Sequence, residues 1–229
     1  MADMHSTRDV PRRHDATPEE QLHELRQRTD ARFFEHRRQV RDLLAVIRAI
    51  VRRTAPSSGS VEDFAAHLEG RLGALARVQE ILMRVGSEGA DLAELVSGGF
   101  LAEAIPETRF EVAGPRTMLS GKMAASLALA LHELTTNAIK FGALSTPHGR
   151  VSVRWARDVH RPERIRFEWQ ERGISILTDA PRPVGFGTEL IEKTLPYELR
   201  ARTALDFAPG GVRCLIKFRA EIPVRGDNE

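Results

Sequence analysis

The sequence predicts an α+β protein in two parts: an N-terminal two-helix hairpin, then a sandwich of helices against one face of a mixed or antiparallel sheet. Three observations lead there. From Gln21 to Thr54 there is no Gly or Pro, and Phe33, His36, Val40, Leu43, Ile47 and Ile50 recur at spacings of three and four, as in a long helix with one seam. Beyond Arg150 the period drops to two, in Arg150-Val151-Ser152-Val153-Arg154-Trp155 and again in Ile165-Arg166-Phe167-Glu168-Trp169, as in half-buried strands. Between them, Leu127 to Ser145 reads as a helix with two faces. Leu127, Leu131, Leu134, Ala138 and Phe141 form an apolar stripe, while Glu133, Asn137 and Lys140 cluster within about 60° of one another on a second, polar face.

In chain order, residues 1–20 mix charges with Pro11 and Pro18 and hold almost no apolar residues, so they read as a flexible tail. Residues 21–86 form the hairpin. Ala55 to Gly59 ends the first helix; Ser60 caps the second, which runs to Val85 along the seam Phe64, Leu68, Leu72, Leu75, Val78 and Leu82. Two such seams need a further surface, and a four-helix bundle in a homodimer provides it. In residues 87–229 a short helix from Asp91 to Leu101 and a strand from Arg109 to Val112 precede the two-faced helix. After the alternating strands, Gly185-Phe186-Gly187-Thr188 opens a helix to about Leu199, and strands Thr203–Phe207 and Val212–Ala220 close the chain as a hairpin across Pro209-Gly210-Gly211.

Composition narrows the function. The net charge is +2 and Arg is interleaved with acids along the chain, so nucleic acid is not implied. One cysteine, Cys214, excludes an internal disulfide framework and a zinc cluster. No apolar run approaches the roughly 20 residues that span a bilayer, and the chain reads as soluble and cytoplasmic, with no membrane segment. By itself the Glu133, Asn137, Lys140 face is an ordinary solvated face. Equally, a carboxylate and an amide oxygen are hard ligands suited to magnesium, and an ammonium suits phosphate. Gly185-x-Gly187 before a helix suits backbone approach to an anion, although a plain glycine turn has the same sequence.

The order of these features resembles the HWE group of bacterial sensor histidine kinases, within the GHKL class of ATPases. His132 stands in LHELTTNAIKFGALS and Trp169-Gln170-Glu171 in FEWQERG, the His and Trp-x-Glu for which the group is named. GPRTMLS before the helix, GRVSVRW after it and GFGTELIEKTL complete the likeness, which covers Phe33 to the C-terminus. The resemblance implies a dimerising, phosphotransfer-like hairpin followed by a histidine-kinase-type ATPase domain that binds ATP. It places Glu133 and Asn137 near magnesium, Lys140 near phosphate, Glu171 and Gly173 near adenine, and Gly185, Gly187 and Thr188 near the phosphates. It also implies phosphotransfer to a histidine and then to the receiver domain of a response regulator.

Two departures from the pattern stand out. Gly173 is followed by Ile174-Ser175 where the family has Gly-Pro, and a β-branched residue resists positive φ. In the first helix the phosphoacceptor register falls on Arg38, whose guanidinium cannot attack phosphorus. His36 is the candidate acceptor; two residues upstream, it lies about 200° round the helix and on the apolar seam, where a packed histidine is the ordinary reading. His23 is farther upstream, and His67, His148 and His160 read as surface residues. Three functions follow: a histidine kinase core; a degenerate kinase-like scaffold that engages a response regulator without autophosphorylating; and, more remotely, an anti-sigma type serine kinase, which has no use for the hairpin.

Overall fold

A computed structural model describes residues 17–85, 89–174, 185–208 and 211–220, and its chain divides into two compact units, Met1–Ala49 and Ile50–Glu229. The first unit is occupied by helix α1 (Pro18–Thr54), which continues into the second. Phe33 and Val40 of the expected seam are 70% and 57% exposed in the single chain. The side chain of His36 lies outside the described residues, and Arg38 faces solvent at 3.7 Å from Asp42.

The second unit holds everything else. Helix α2 (Val61–Val85) begins as expected, with the Asp63 amide donating to Ser60 Oγ at 3.1 Å. Asp91 caps α3 (Leu92–Ala102) by accepting from the Ala93 amide at 2.9 Å. A five-stranded sheet runs in the order β2 (Phe110–Ala113), β4 (Arg150–Arg157), β5 (Arg164–Arg172), β7 (Gly211–Arg219), β6 (Arg202–Ala208), parallel between β2 and β4 and antiparallel elsewhere. The two-residue strands β1 (Ala90–Asp91) and β3 (Met118–Leu119) pair separately. Alternate residues Val151, Val153, Ile165, Phe167, Trp169, Cys214 and Ile216 line the inner face and are buried. Phe100 of α3 stacks between Phe110 and Trp169, with ring centroids 4.4 and 5.5 Å away. Among the described residues no helix is long and apolar enough to cross a membrane.

The two-faced helix, α4, spans Gly121–Lys140 rather than Leu127 to Ser145. It starts earlier because Met123 to Leu131 is buried on every side, which erases the amphipathic period there. It ends at Lys140, where the backbone of Phe141 leaves helical geometry, and Gly142 then packs closely on Ala138 and Glu171. Phe141, assigned to the apolar stripe, is instead 75% exposed at the helix end. The helix opened by Gly185-Phe186-Gly187 consists of α5 (Phe186–Glu189), a π turn (Leu190–Thr194) and α6 (Leu195–Glu198).

Candidate functional site

The polar face of α4 lies beneath α2. Glu133 is buried and its carboxylate is held at both oxygens by the Arg71 fork, Nε to Oε1 at 2.7 Å and the second nitrogen to Oε2 at 3.3 Å. Arg71 also donates to Thr54 Oγ1 at 2.7 Å, and its guanidinium lies 3.7 Å over the centre of the Phe186 ring. Lys140 Nζ, at the exposed end of the same face, is 3.0 Å from His67 Nε2, so His67 contacts α4 rather than standing apart on the surface. Asn137, between them, is exposed.

Gly187 brings the second glycine motif onto this face. A Cβ at Gly187 would come within 2.9 Å of Glu133 Cβ and 3.1 Å of its Oε2, so only glycine allows the approach. A Cβ at Gly185, by contrast, would meet open space. Two motifs more than fifty residues apart thus share one contact, and Phe186 between the glycines carries Arg71 on its ring.

The Trp-x-Glu motif has a structural task. Trp169 and Glu171 lie on the same face of β5, and the buried Glu171 accepts from the Ala143 amide at 2.8 Å and from the Trp169 indole at 3.3 Å. Burial pushes the Glu171 carboxyl above its usual range, and those two hydrogen bonds pull it back. Arg109 clamps the same loop from the other side, donating to the carbonyls of Gly149, Ala143 and Thr146 at 2.9, 3.2 and 2.5 Å. Gly173 takes the positive φ of 85° and packs on Gly149, while Ile174 follows in a bridge, so the β-branched residue is not asked to adopt the left-handed conformation. The rest of that loop, from Ser175 to Val184, lies outside the described residues. Thr188 sits in α5, one residue beyond Gly187.

His132 points away from the carboxylate cluster, into the junction of α2, α3 and α4. Its ring fits against Gly70, where a Cβ would come within 2.7 Å of Nε2, and buried Nδ1 lies 3.8 Å from Glu103 Oε1, beyond hydrogen-bond reach. Burial holds the imidazole below its usual 6.5, outweighing Glu133 and Glu103, which pull it up. The folded protein therefore resists a proton that the unfolded chain accepts. This share of stability is present above pH 6.5 and is lost as pH falls below it. Thermal melts across that range are expected to show the loss, and His132→Gln to remove its part of the slope.

Sequence reading missed Arg71. Its local signals are Gly70 and Gly73, which flank it inside a helical pattern, as glycines do where another element approaches closely.

The family described as HWE histidine kinase matches residues 34–116. A blue-light-activated histidine kinase of Erythrobacter litoralis is 32% identical over 195 residues, covering 82% of this chain and 53% of that protein. By these matches the chain is similar to the HWE histidine kinases. A blue-light-activated histidine kinase of Brucella abortus is 28% identical over 172 residues, 74% of this chain and 35% of the relative. The chain thus spans from about a third to about half the length of these relatives. Its fold is that of the histidine kinase domain of an Erythrobacter litoralis blue-light activated histidine kinase, with a TM-score of 0.57 over 77% of this chain and 85% of that one, at 18% identity. A longer structure of that kinase gives 0.60, covering 80% of this chain and 59% of the other at 15% identity.

Proposed function

We propose that this chain is the core of an HWE-type histidine kinase in a two-component system, binding ATP and magnesium on the polar face of α4 and acting as a homodimer through its N-terminal helices. The observation that carries this reading is the seating of Gly187 on Glu133, which joins the helix motif to the second glycine motif at one corner suited to phosphate. The donor chemistry fits: Glu133 and Asn137 supply hard oxygens, Lys140 supplies a cation, and the space at Gly185 leaves backbone accessible. Glu133 would serve the metal only to the extent that Arg71 leaves it free. Magnesium, when bound, neutralises phosphate charge. Glu171 and Gly173 bound the adenine side, Gly185, Gly187 and Thr188 the phosphate side. The γ-phosphoryl group of ATP passes to an imidazole nitrogen with ADP leaving, His36 being the candidate, and then to an aspartate of a receiver domain.

Incubation with γ-labelled ATP and magnesium tests this. Acid-labile label on the protein, lost in His36→Ala, is the expected result; no label sinks autophosphorylation. Calorimetry checks the site independently of chemistry: Asn137→Ala is expected to lower magnesium-dependent ATP affinity about tenfold or more, the loss of one charge-assisted contact. The ion pair on Glu133 and Arg38 at the acceptor register favour a second reading, a kinase-like scaffold that engages a receiver domain without autophosphorylating. Receiver binding in pull-down with no label transferred would select it.

A further inference from the structure

The outer face of the five-stranded sheet is strongly basic. Three acids, Glu111, Glu168 and Asp206, stand there against nine Lys and Arg at the outward positions, whereas the whole chain holds 34 Lys and Arg against 32 Asp and Glu. Interleaving in sequence conceals this, because alternate residues of a strand go to opposite faces.

The cations and acids are also segregated within the face. Glu111 takes Arg154 at 2.9 Å, and Glu168 takes Arg213 at 2.7 Å and Arg166 at 3.2 Å. Across one end of the sheet Arg202, Lys217 and Arg166 lie side by side on β6, β7 and β5, with Ala156 next on β4, a row without an acid. The following row sets Arg219 beside Arg164. Asp158, in the β4–β5 turn, accepts from the amides of His160 and Arg161 at 2.9 and 3.0 Å, bonds that hold its carboxyl below the usual range. Like charges directly opposite on strands about 4.8 Å apart repel one another, and a covering polyanion relieves that repulsion.

We propose that this face docks on an anionic phospholipid bilayer. The outward positions of the described strands offer Leu215 and small alanines as apolar groups and no aromatic ring, so the face has neither the buried anchors of a stable protein interface nor a stacking platform for single-stranded nucleic acid. It presents a two-dimensional array, with strands about 4.8 Å apart and alternate residues about 6.7 Å apart, whose cations reach a planar anionic surface together. A nucleic-acid duplex is a cylinder and meets only a strip of such an array. Docking here uses no residue assigned to the nucleotide site and stands independently of the kinase reading.

Co-sedimentation of the full chain with phosphatidylcholine vesicles, with and without phosphatidylglycerol, tests the proposal. Binding to the anionic vesicles alone, weakening as salt shortens the screening length, is expected. Each cation contributes about fivefold to partitioning, so Arg166→Gln/Lys217→Gln/Arg202→Gln should lower it about a hundredfold. The control Arg48→Gln/Lys122→Gln/Lys193→Gln, which removes the same net charge elsewhere, should leave it nearly unchanged. Absence of vesicle binding at low salt, equal losses in the two triple variants, or tighter binding to duplex DNA or to polyglutamate at the same ionic strength would overturn the proposal.

Discussion

Arg71→Met is expected to destabilise the Ile50–Glu229 unit by about 3–5 kcal/mol, because it leaves the Glu133 carboxylate buried without its partner. The side chains of Arg71 and Glu133 are 4% and 11% exposed, so water screens the pair little and the full cost of breaking it applies. In a unit of this size that corresponds to a fall in Tm of about 6–20 °C. The double variant Arg71→Met/Glu133→Met should stand much closer to wild type, since apolar side chains of similar volume often replace a buried ion pair without loss. Urea midpoints of the two single variants and the double variant complete the cycle. A single-variant loss below about 1 kcal/mol would show that Glu133 finds water or another donor once Arg71 is gone.

Gly142→Ala should be nearly as damaging. A Cβ there would come within 2.1 Å of Glu171 Oε2 and 2.7 Å of the Ala138 Cα, so either the carboxylate leaves its hydrogen bond with Ala143 or the end of α4 moves. Overpacking of this kind and the loss of a hydrogen bond to a buried carboxylate together cost about 3–5 kcal/mol. Because the two effects share Glu171, Gly142→Ala/Glu171→Ala should be less destabilised than the sum of the single variants. Strict additivity would place the damage in the Ala138 backbone contact alone.

What could be read from the sequence was whatever is encoded within a few residues. The three- and four-residue spacing of Phe64 to Leu82 gave α2, and the alternation around Val151, Val153, Phe167 and Trp169 gave β4 and β5, since each pattern declares its own geometry. The start of α4 was lost because Met123 to Leu131 is enclosed on all sides and has no polar face to mark a period. Phe141 followed the helical spacing but falls just past Lys140, where the chain has already left the helix. Local pattern groups Glu133, Asn137 and Lys140 by helical spacing. It could not foresee that Arg71, 62 residues from Glu133, would reach across to the carboxylate, because nothing local distinguishes a charge aimed at a distant partner from one aimed at solvent. The same limit applied to Glu171, whose bonds run to the Ala143 amide 28 residues away and to the indole of its own motif.

The π turn at Leu190–Thr194 sets an angular phase along its helix. A π bulge carries one residue more than the α-helical winding needs, and each residue is about 100° of rotation. Deleting one residue within the turn would remove that extra rotation and swing the Phe186-Gly187 corner about a quarter turn relative to the buried Leu195. Gly187 would leave Glu133, and Phe186 would leave the guanidinium it supports. The spare residue therefore acts as an indexing pin: it lets a helix anchored by Leu195 at one end present a glycine, rather than a side chain, to the carboxylate at the other.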